Sequence, residues 1–117
     1  MGEDKHLPVK ELVAHCFARE IPVAAICDAT TFLGRHGFLE DRKHTGNTLG
    51  LLKQGAPDYR GEALYVEAQS VRDGNLITAN GSAPAEFARD ILAHLGVMEG
   101  EKLEGWYKIS KHGFLPN

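Results

Sequence analysis

Cysteine is scarce, long apolar runs are missing, and neither sign of charge dominates; each shortage removes a class of protein. Only two cysteines, Cys16 and Cys27, occur in 117 residues, too few for a disulfide framework, so both read as reduced thiols. The longest apolar run, Ile21 to Cys27, falls far short of the roughly 20 residues that cross a bilayer. The opening residues MGEDKHLP carry no signal-peptide apolar core. A cytoplasmic protein with no membrane partner is expected. Lys and Arg total 13 against 16 Asp and Glu, a net charge of −3. No stretch interleaves basic residues with aromatics, so nucleic acid is not an expected partner. The histidines at 6, 15, 36, 44, 94 and 112 form no His-x-x-x-His pair and the cysteines no Cys-x-x-Cys pair. No metal site or cofactor is therefore expected.

What is present is ordinary globular composition, 43% hydrophobic and 25% charged, at the length of one domain spanning residues 1 to 117. Leu7, Val9, Leu12, Val13, Cys16 and Phe17 recur at helical spacing, with Pro8 suited to a first turn, predicting an amphipathic helix over 8 to 20. Cys16 on that stripe reads as core packing, and His15 as solvated. The run from Pro22 to Cys27 is apolar on both alternating faces, as in an interior parallel strand. A helix from Asp28 to His36 follows, ended by Gly37. Residues 42 to 48 read as a short strand or loop, with Glu40 to Lys43 solvated. Leu49, Leu51 and Leu52 open a helical segment that ends near Gly55-Ala56-Pro57. Strands are expected around 64 to 71 and 75 to 79, joined at Asp73-Gly74. Asn80-Gly81-Ser82 forms a turn with a helix cap, and Pro84 to Leu95 a helix closed by Gly96. The last stretch, 101 to 111, offers Leu103, Trp106, Tyr107 and Ile109 for packing or a dimer contact. Alternating strands and helices predict an α/β domain with a mostly parallel sheet.

Cys27 falls on the corner where a strand turns abruptly into a helix. A side chain there stands at the carboxyl edge of the sheet, with free backbone N–H groups of the helix N-terminus behind it. The thiolate is the reactive species, and a helix N-terminus favours it, while a carboxylate at Asp28 opposes it. The same N–H groups, at Ala29 and nearby, can hold an oxyanion. Thr30 and Thr31 read as helix-start residues whose hydroxyls can donate to an anion at the corner.

The stretch Ala24-Ala25-Ile26-Cys27-Asp28-Ala29-Thr30, followed by Gly37-Phe38-Leu39-Glu40-Asp41-Arg42-Lys43, resembles the nucleophile elbow and following segment of the ThiJ/PfpI family, within the class I glutamine amidotransferase-like superfamily. Residues 73 to 88 resemble the hairpin and closing helix of that family, in the same order, and Glu104-Gly105-Trp106-Tyr107 resembles a bacterial branch of it. The resemblance covers most of residues 8 to 96. It implies a flavodoxin-like three-layer sandwich with Cys27 as the reactive cysteine. Members are described as proteases, deglycases, glyoxalases, chaperones or stress sensors.

Two positions depart from the family pattern. Protease-like members have His where Asp28 stands, and others place His about where Asn47 stands, so neither position can act as a base as imidazole does at neutral pH. Asp28 or Asn47 is then expected to orient substrate or water beside Cys27. His44 lies near Asn47 in sequence, but strand alternation points it to a different face, and its plain reading is a surface or core-edge histidine. The family also opens with strands and a glutamate that approaches the cysteine, and this chain starts after them. Met1-Gly2 resembles the end of a glycine-rich loop, which makes Gly2 an oxyanion candidate. An unpaired sheet edge implies self-association, or pairing with the missing N-terminal segment.

Two functions compete. One is a cysteine-dependent hydrolase or glutamine amidotransferase-like enzyme acting on a small carbonyl or amide. The other is a non-catalytic redox or stress-response module in which Cys27 oxidises reversibly, a task that needs exposure and anion-stabilising donors but no base.

Overall fold

The computed structural model describes residues 3–114, with side chains from Pro8 onward. Its elements are helices α1 (Glu3–Ala18), α2 (Asp28–Arg35), α3 (Leu49–Gly55), α4 (Pro84–His94) and α5 (Gly100–His112), and strands β1 (Val23–Ile26), β2 (Ser70–Asp73) and β3 (Leu76–Ala79). Gly2 lies outside the described residues, and so does the side chain of Leu7. Among the described residues this is a mixed α/β fold with a small sheet and five α-helices.

The sheet order is β1-β3-β2. All four residues of β3 are buried, and it is the strand with neighbours on both edges. β1 runs parallel to it, Val23 opposite Leu76 through Ile26 opposite Ala79. β2 is antiparallel to it, Ser70 opposite Ala79 through Asp73 opposite Leu76. The expected mostly parallel sheet is therefore corrected: one pairing is parallel and one antiparallel, because β2 and β3 form a tight hairpin. Its loop is Gly74-Asn75, with Gly74 at φ 57° and no positive φ at Asn75. A glycine at the first central position suits the strongly twisted two-residue loop.

The expected strand over 64 to 71 is also corrected. A short 3-10 turn, Glu62–Leu64, is followed by a single bridge between His44 and Tyr65, and regular pairing begins only at Ser70. The strand expected as interior, β1, is hydrogen-bonded along one edge among the described residues, and its Ala24 is exposed. The apolar stripe of α1 behaves likewise: Val13, Cys16 and Phe17 are partly covered, while Val9 and Leu12 face solvent. Pro8 lies inside α1 rather than in its first turn, since the helix starts at Glu3.

The core joins Ala25 of β1, Leu33 of α2, Leu39, Leu52 of α3 and Leu76 of β3, with Phe17, Phe32, Phe38, Tyr59 and Tyr65 packed around them. Full burial of each large apolar side chain contributes roughly 1.5–3 kcal/mol, which makes this cluster the anchor for β1 and α2. Arg42, expected in a solvated loop, stacks 4.0 Å above the Phe17 ring and donates to the Phe38 carbonyl. The end of α2 is a Schellman motif: Gly37, at φ 81°, donates to the Gly34 carbonyl and Phe38 to the Leu33 carbonyl. The helix cap expected from the Asn80-Gly81-Ser82 turn is not formed by a side chain. Ala83 occupies the cap, and Ser82 instead bonds Asn80 Oδ1 through both its N–H and its hydroxyl.

Helix α5 packs on α4 through polar contacts. The Tyr107 hydroxyl donates to Glu86 Oε2 at 2.6 Å, Lys111 Nζ lies 2.9 Å from the same oxygen, and the Arg89 guanidinium sits 4.1 Å above the Tyr107 ring. Burial pushes the Glu86 carboxyl up, but the bonds from Tyr107 and Lys111 outweigh it and bring the group down to about 2. No helix among the described residues is long and apolar enough to cross a membrane.

Candidate functional site

Cys27 follows β1 directly and precedes α2. Its N–H continues the parallel ladder by donating to the Ala79 carbonyl at 3.0 Å, so the sheet carries the chain up to the corner. The residue then turns at φ 61° and ψ −128°. A non-glycine residue held at positive φ costs on the order of 1–3 kcal/mol. The surroundings that hold it are visible: the Cys27 carbonyl accepts from the Thr30 N–H at 3.1 Å and from the Thr30 hydroxyl at 2.6 Å. The thiol above this turn is exposed.

That arrangement revises the expected role of Thr30. It is buried under the elbow with its hydroxyl turned to a backbone carbonyl, so it braces the turn instead of offering a donor to a bound anion. Ala29 is in the exposed first turn of α2, where helix geometry leaves the N–H groups of Asp28 and Ala29 without an intrahelical acceptor, and none is found among the described residues. These two N–H groups are backbone donors at the start of the helix that follows the thiol.

Asn47 comes to Cys27 from the segment before α3. Its Nδ2 donates to Cys27 Sγ at 3.4 Å, and its Oδ1 accepts the Gly81 N–H at 2.7 Å. The second bond fixes which end of the amide faces the sulfur. Because its oxygen is occupied, Asn47 presents N–H to Sγ, so it can favour an anionic sulfur but cannot remove a proton from the thiol. Gly81 is a contact that sequence reasoning did not assign. A Cβ there would stand 2.9 Å from Cys27 Sγ and 3.3 Å from Asn47 Oδ1, so the bare backbone makes room for the thiol. The signal in the sequence was the Asn80-Gly81 pair, which reads as a turn and says nothing about what packs against it.

Asp28 is exposed and lines a separate cleft of about 460 Å³ between α2 and α3, together with Arg35, Phe32 and Leu51. Asn47, in contrast, lines a cleft of about 370 Å³ formed by residues 45–48, 65, 67–69 and 80. Of the two residues expected beside Cys27 as orienting groups, the structure brings Asn47 to the sulfur and gives Asp28 no hydrogen bond there.

His44 is fully buried. Its Nδ1 lies 2.7 Å from the Arg42 carbonyl oxygen and its Nε2 2.5 Å from the Tyr59 hydroxyl. A carbonyl only accepts, so Nδ1 carries the proton and the Tyr59 O–H donates to Nε2. Burial holds the imidazole pKa below the ordinary 6.5, opposed by the hydrogen bond to Arg42. Burial, with the charges of Tyr65 and Glu62, raises the Tyr59 hydroxyl to about 12. Both ring nitrogens are thus engaged within the fold, and the expected surface or core-edge position is corrected to the interior. No group of three or more His, Cys, Asp or Glu able to hold a metal occurs among the described residues.

Comparison with known proteins fits this elbow. Residues 3–109 match the DJ-1/PfpI family. The chain is 42% identical over 110 residues to the Bacillus subtilis protein named uncharacterized protease YoaZ, covering 94% of this chain and 52% of that protein. It is 41% identical over 102 residues to the uncharacterized protease YdeA of the same organism, covering 87% and 51% respectively. A solved ThiJ/PfpI family protein from Bacillus anthracis superposes with a TM-score of 0.90 at 40% identity, over 95% of this chain and 52% of the other. The chain therefore spans about half the length of the curated relatives it matches. By sequence match, by superposition and by the strained cysteine between strand and helix, this chain belongs to the DJ-1/PfpI family.

Proposed function

We propose that Cys27 is the nucleophile of a cysteine-dependent hydrolase or glutamine amidotransferase-like site acting on small carbonyl or amide compounds. The observation that carries this reading is the exposed thiol at φ 61°, lifted off the end of β1 with an amide N–H aimed at it. The protease names of the two Bacillus subtilis relatives support the hydrolytic class. With an amide substrate, Sγ bonds to the carbonyl carbon and the π electrons move to oxygen, which the Asp28 and Ala29 N–H groups receive. Collapse expels the amine, which leaves with the proton given up by the thiol. Water then cleaves the thioester, releasing the acid and restoring the thiol. Solvent carries the protons, since Asn47 has no basic atom free. With an aldehyde the same addition stops at a hemithioacetal, the thiol proton ending on the oxygen.

Alkylation of the thiols with iodoacetamide, mapped by peptide mass, tests this together with turnover of small aldehydes, esters and glutamine. Cys27 is expected to label faster than the half-buried Cys16, and Cys27→Ser to abolish turnover. A slow Cys27 with no turnover of any of these compounds overturns the reading.

The edge of β1 that is unpaired among the described residues, with its exposed Ala24 and with Val9 and Leu12 on α1, supports a second part of the proposal. The chain associates through that edge, with a copy of itself or with an N-terminal segment of the family type. Light scattering on the purified chain is expected to give a mass above 12.8 kDa; a clean monomer rules out self-association.

A further inference from the structure

The cleft that Asn47 lines has a one-sided chemistry; Cys27 is not among its lining residues, but the Asn47 amide bonds Cys27 Sγ. Glu67 is the charged residue among those that line it; the rest are threonines, a tyrosine, amides, a glycine and an alanine. The Glu67 carboxylate has no hydrogen-bond or ion-pair partner among the described residues. Beside it, Gln69 accepts the Asn80 amide through Oε1 at 2.7 Å, which leaves its own NH₂ free to donate. Asn80 is spent internally, with Oδ1 taken by Ser82. The cleft thus presents one carboxylate and one amide donor, with no cation to receive a phosphate or carboxylate.

Resting on the nucleophile reading of Cys27, we propose that this cleft selects substrates bearing an ammonium group next to a neutral carbonyl or hydroxyl, and discriminates against anionic ones. Glu67 receives the cation and the Gln69 NH₂ receives the neutral oxygen. Asn47 both lines this cleft and bonds Sγ, and Asn80 at the cleft adjoins Gly81, which packs on the sulfur, so the cleft lies next to the thiol. The second cleft, which carries both Asp28 and Arg35, has no such bias.

The test uses the whole chain in a Cys16→Ala background and three methanethiosulfonates: one bearing trimethylammonium, one bearing sulfonate, one uncharged. In each case Sγ, as thiolate, attacks the reagent's sulfenyl sulfur, a disulfide forms, methanesulfinate leaves with the bonding pair, and the thiol proton goes to buffer. The cation-to-anion rate ratio is divided by the same ratio for 2-mercaptoethanol. This quotient is expected to be about three, the scale of one carboxylate roughly 12 Å away in a water-like dielectric that attracts the cation and repels the anion. Glu67→Gln should bring it toward one, and Glu67→Lys should invert it; Glu67 is exposed, so neither change threatens folding. A quotient of one in the parent overturns the proposal. So does a preference that survives Glu67→Gln and disappears in Asp28→Asn, which would assign the field to the elbow carboxylate. If Cys27 reacts with none of the three reagents, the nucleophile reading fails and the proposal with it, a result distinct from equal reactivity toward all three.

Discussion

Around Cys27 the chain leaves a thiol in solvent, on a backbone held at positive φ, with a single amide N–H 3.4 Å from the sulfur. Around His44 it closes a fully buried imidazole between a backbone carbonyl and a phenol, edge-on to the rings of Tyr59 and Tyr65. The sulfur is strained, open and sparsely bonded; the imidazole is relaxed, sealed and saturated. The contrast separates chemical capacity from chemical availability. A histidine is the ordinary base for a cysteine, yet here it is invested in holding the 42–45 segment against the Tyr59 loop, while the group nearest the sulfur is an amide that can donate and not accept.

The strongest way to break that contrast is to remove the imidazole. His44→Phe keeps a ring in the interior but leaves the Tyr59 hydroxyl and the Arg42 carbonyl without their partner, at a cost of about 2–3 kcal/mol. Iodoacetamide labelling of folded Cys27 should change by less than about twofold, because His44 has no hydrogen bond to it. A tenfold loss of labelling at unchanged stability would show that His44 reaches the sulfur after all. The pH dependence has a definite sign. The unfolded imidazole takes up a proton near 6.5, and the buried one does so only at lower pH. Stability from this group is therefore present above about 6.5 and declines as pH falls below it. Tyr59 works at the other end: its folded value near 12 lies above the ordinary 10, so its contribution is complete below 10 and is lost as pH rises toward 12. Urea midpoints across this range should show a plateau for the parent, and a weaker acid-side slope for His44→Phe.

Glu86 sharpens the comparison, because it is another polar group enclosed by its partners. Glu86→Gln keeps the shape and weakens the contacts with Tyr107 and Lys111, with an expected cost of about 1.5–2 kcal/mol at neutral pH. The folded carboxyl titrates near 2 against an ordinary 4.5. Its stabilisation is thus present above 4.5 and is lost as pH falls through 2. The difference in melting temperature between parent and variant should narrow over that interval, and a constant difference would mean that the carboxylate charge is not what secures α5.

Where a feature depended on neighbours along the chain, it could be read from the sequence. The stripe of α4, the Gly37 terminator and the apolar run into Cys27 each announce an element through local spacing. The partnership of Asn47 with Cys27 came through family resemblance, since only a folded chain brings the two together. Local pattern misled wherever tertiary contacts decided the outcome. Leu64, Tyr65 and Val66 alternate like a strand, yet the segment pairs at one bridge because Gly61 and Tyr59 pack on His44 just before it. Val9 and Leu12 mark a face suited to burial without identifying what covers it. Arg42 reads as a loop cation until the Phe17 ring comes beneath it.

Gly81 gives the smallest expected effect and the most direct reading of the open site. Its φ is not in the left-handed region, so alanine there meets no backbone penalty, and the less flexible unfolded chain even offsets part of any strain. What alanine adds is a methyl 2.9 Å from Sγ, closer than side chains tolerate, and 3.3 Å from Asn47 Oδ1. The sulfur must rotate away or the turn must shift, and either movement lengthens the Asn47 contact. Gly81→Ala should therefore lower the labelling rate of Cys27 about tenfold, equivalent to roughly 1.4 kcal/mol, with less than about 0.5 kcal/mol change in folding stability. Asn47→Ala should reproduce the loss without the steric load. If both variants label at the parental rate, the amide does not govern the thiol, and the reactivity of Cys27 must arise from the elbow and the first turn of α2 alone.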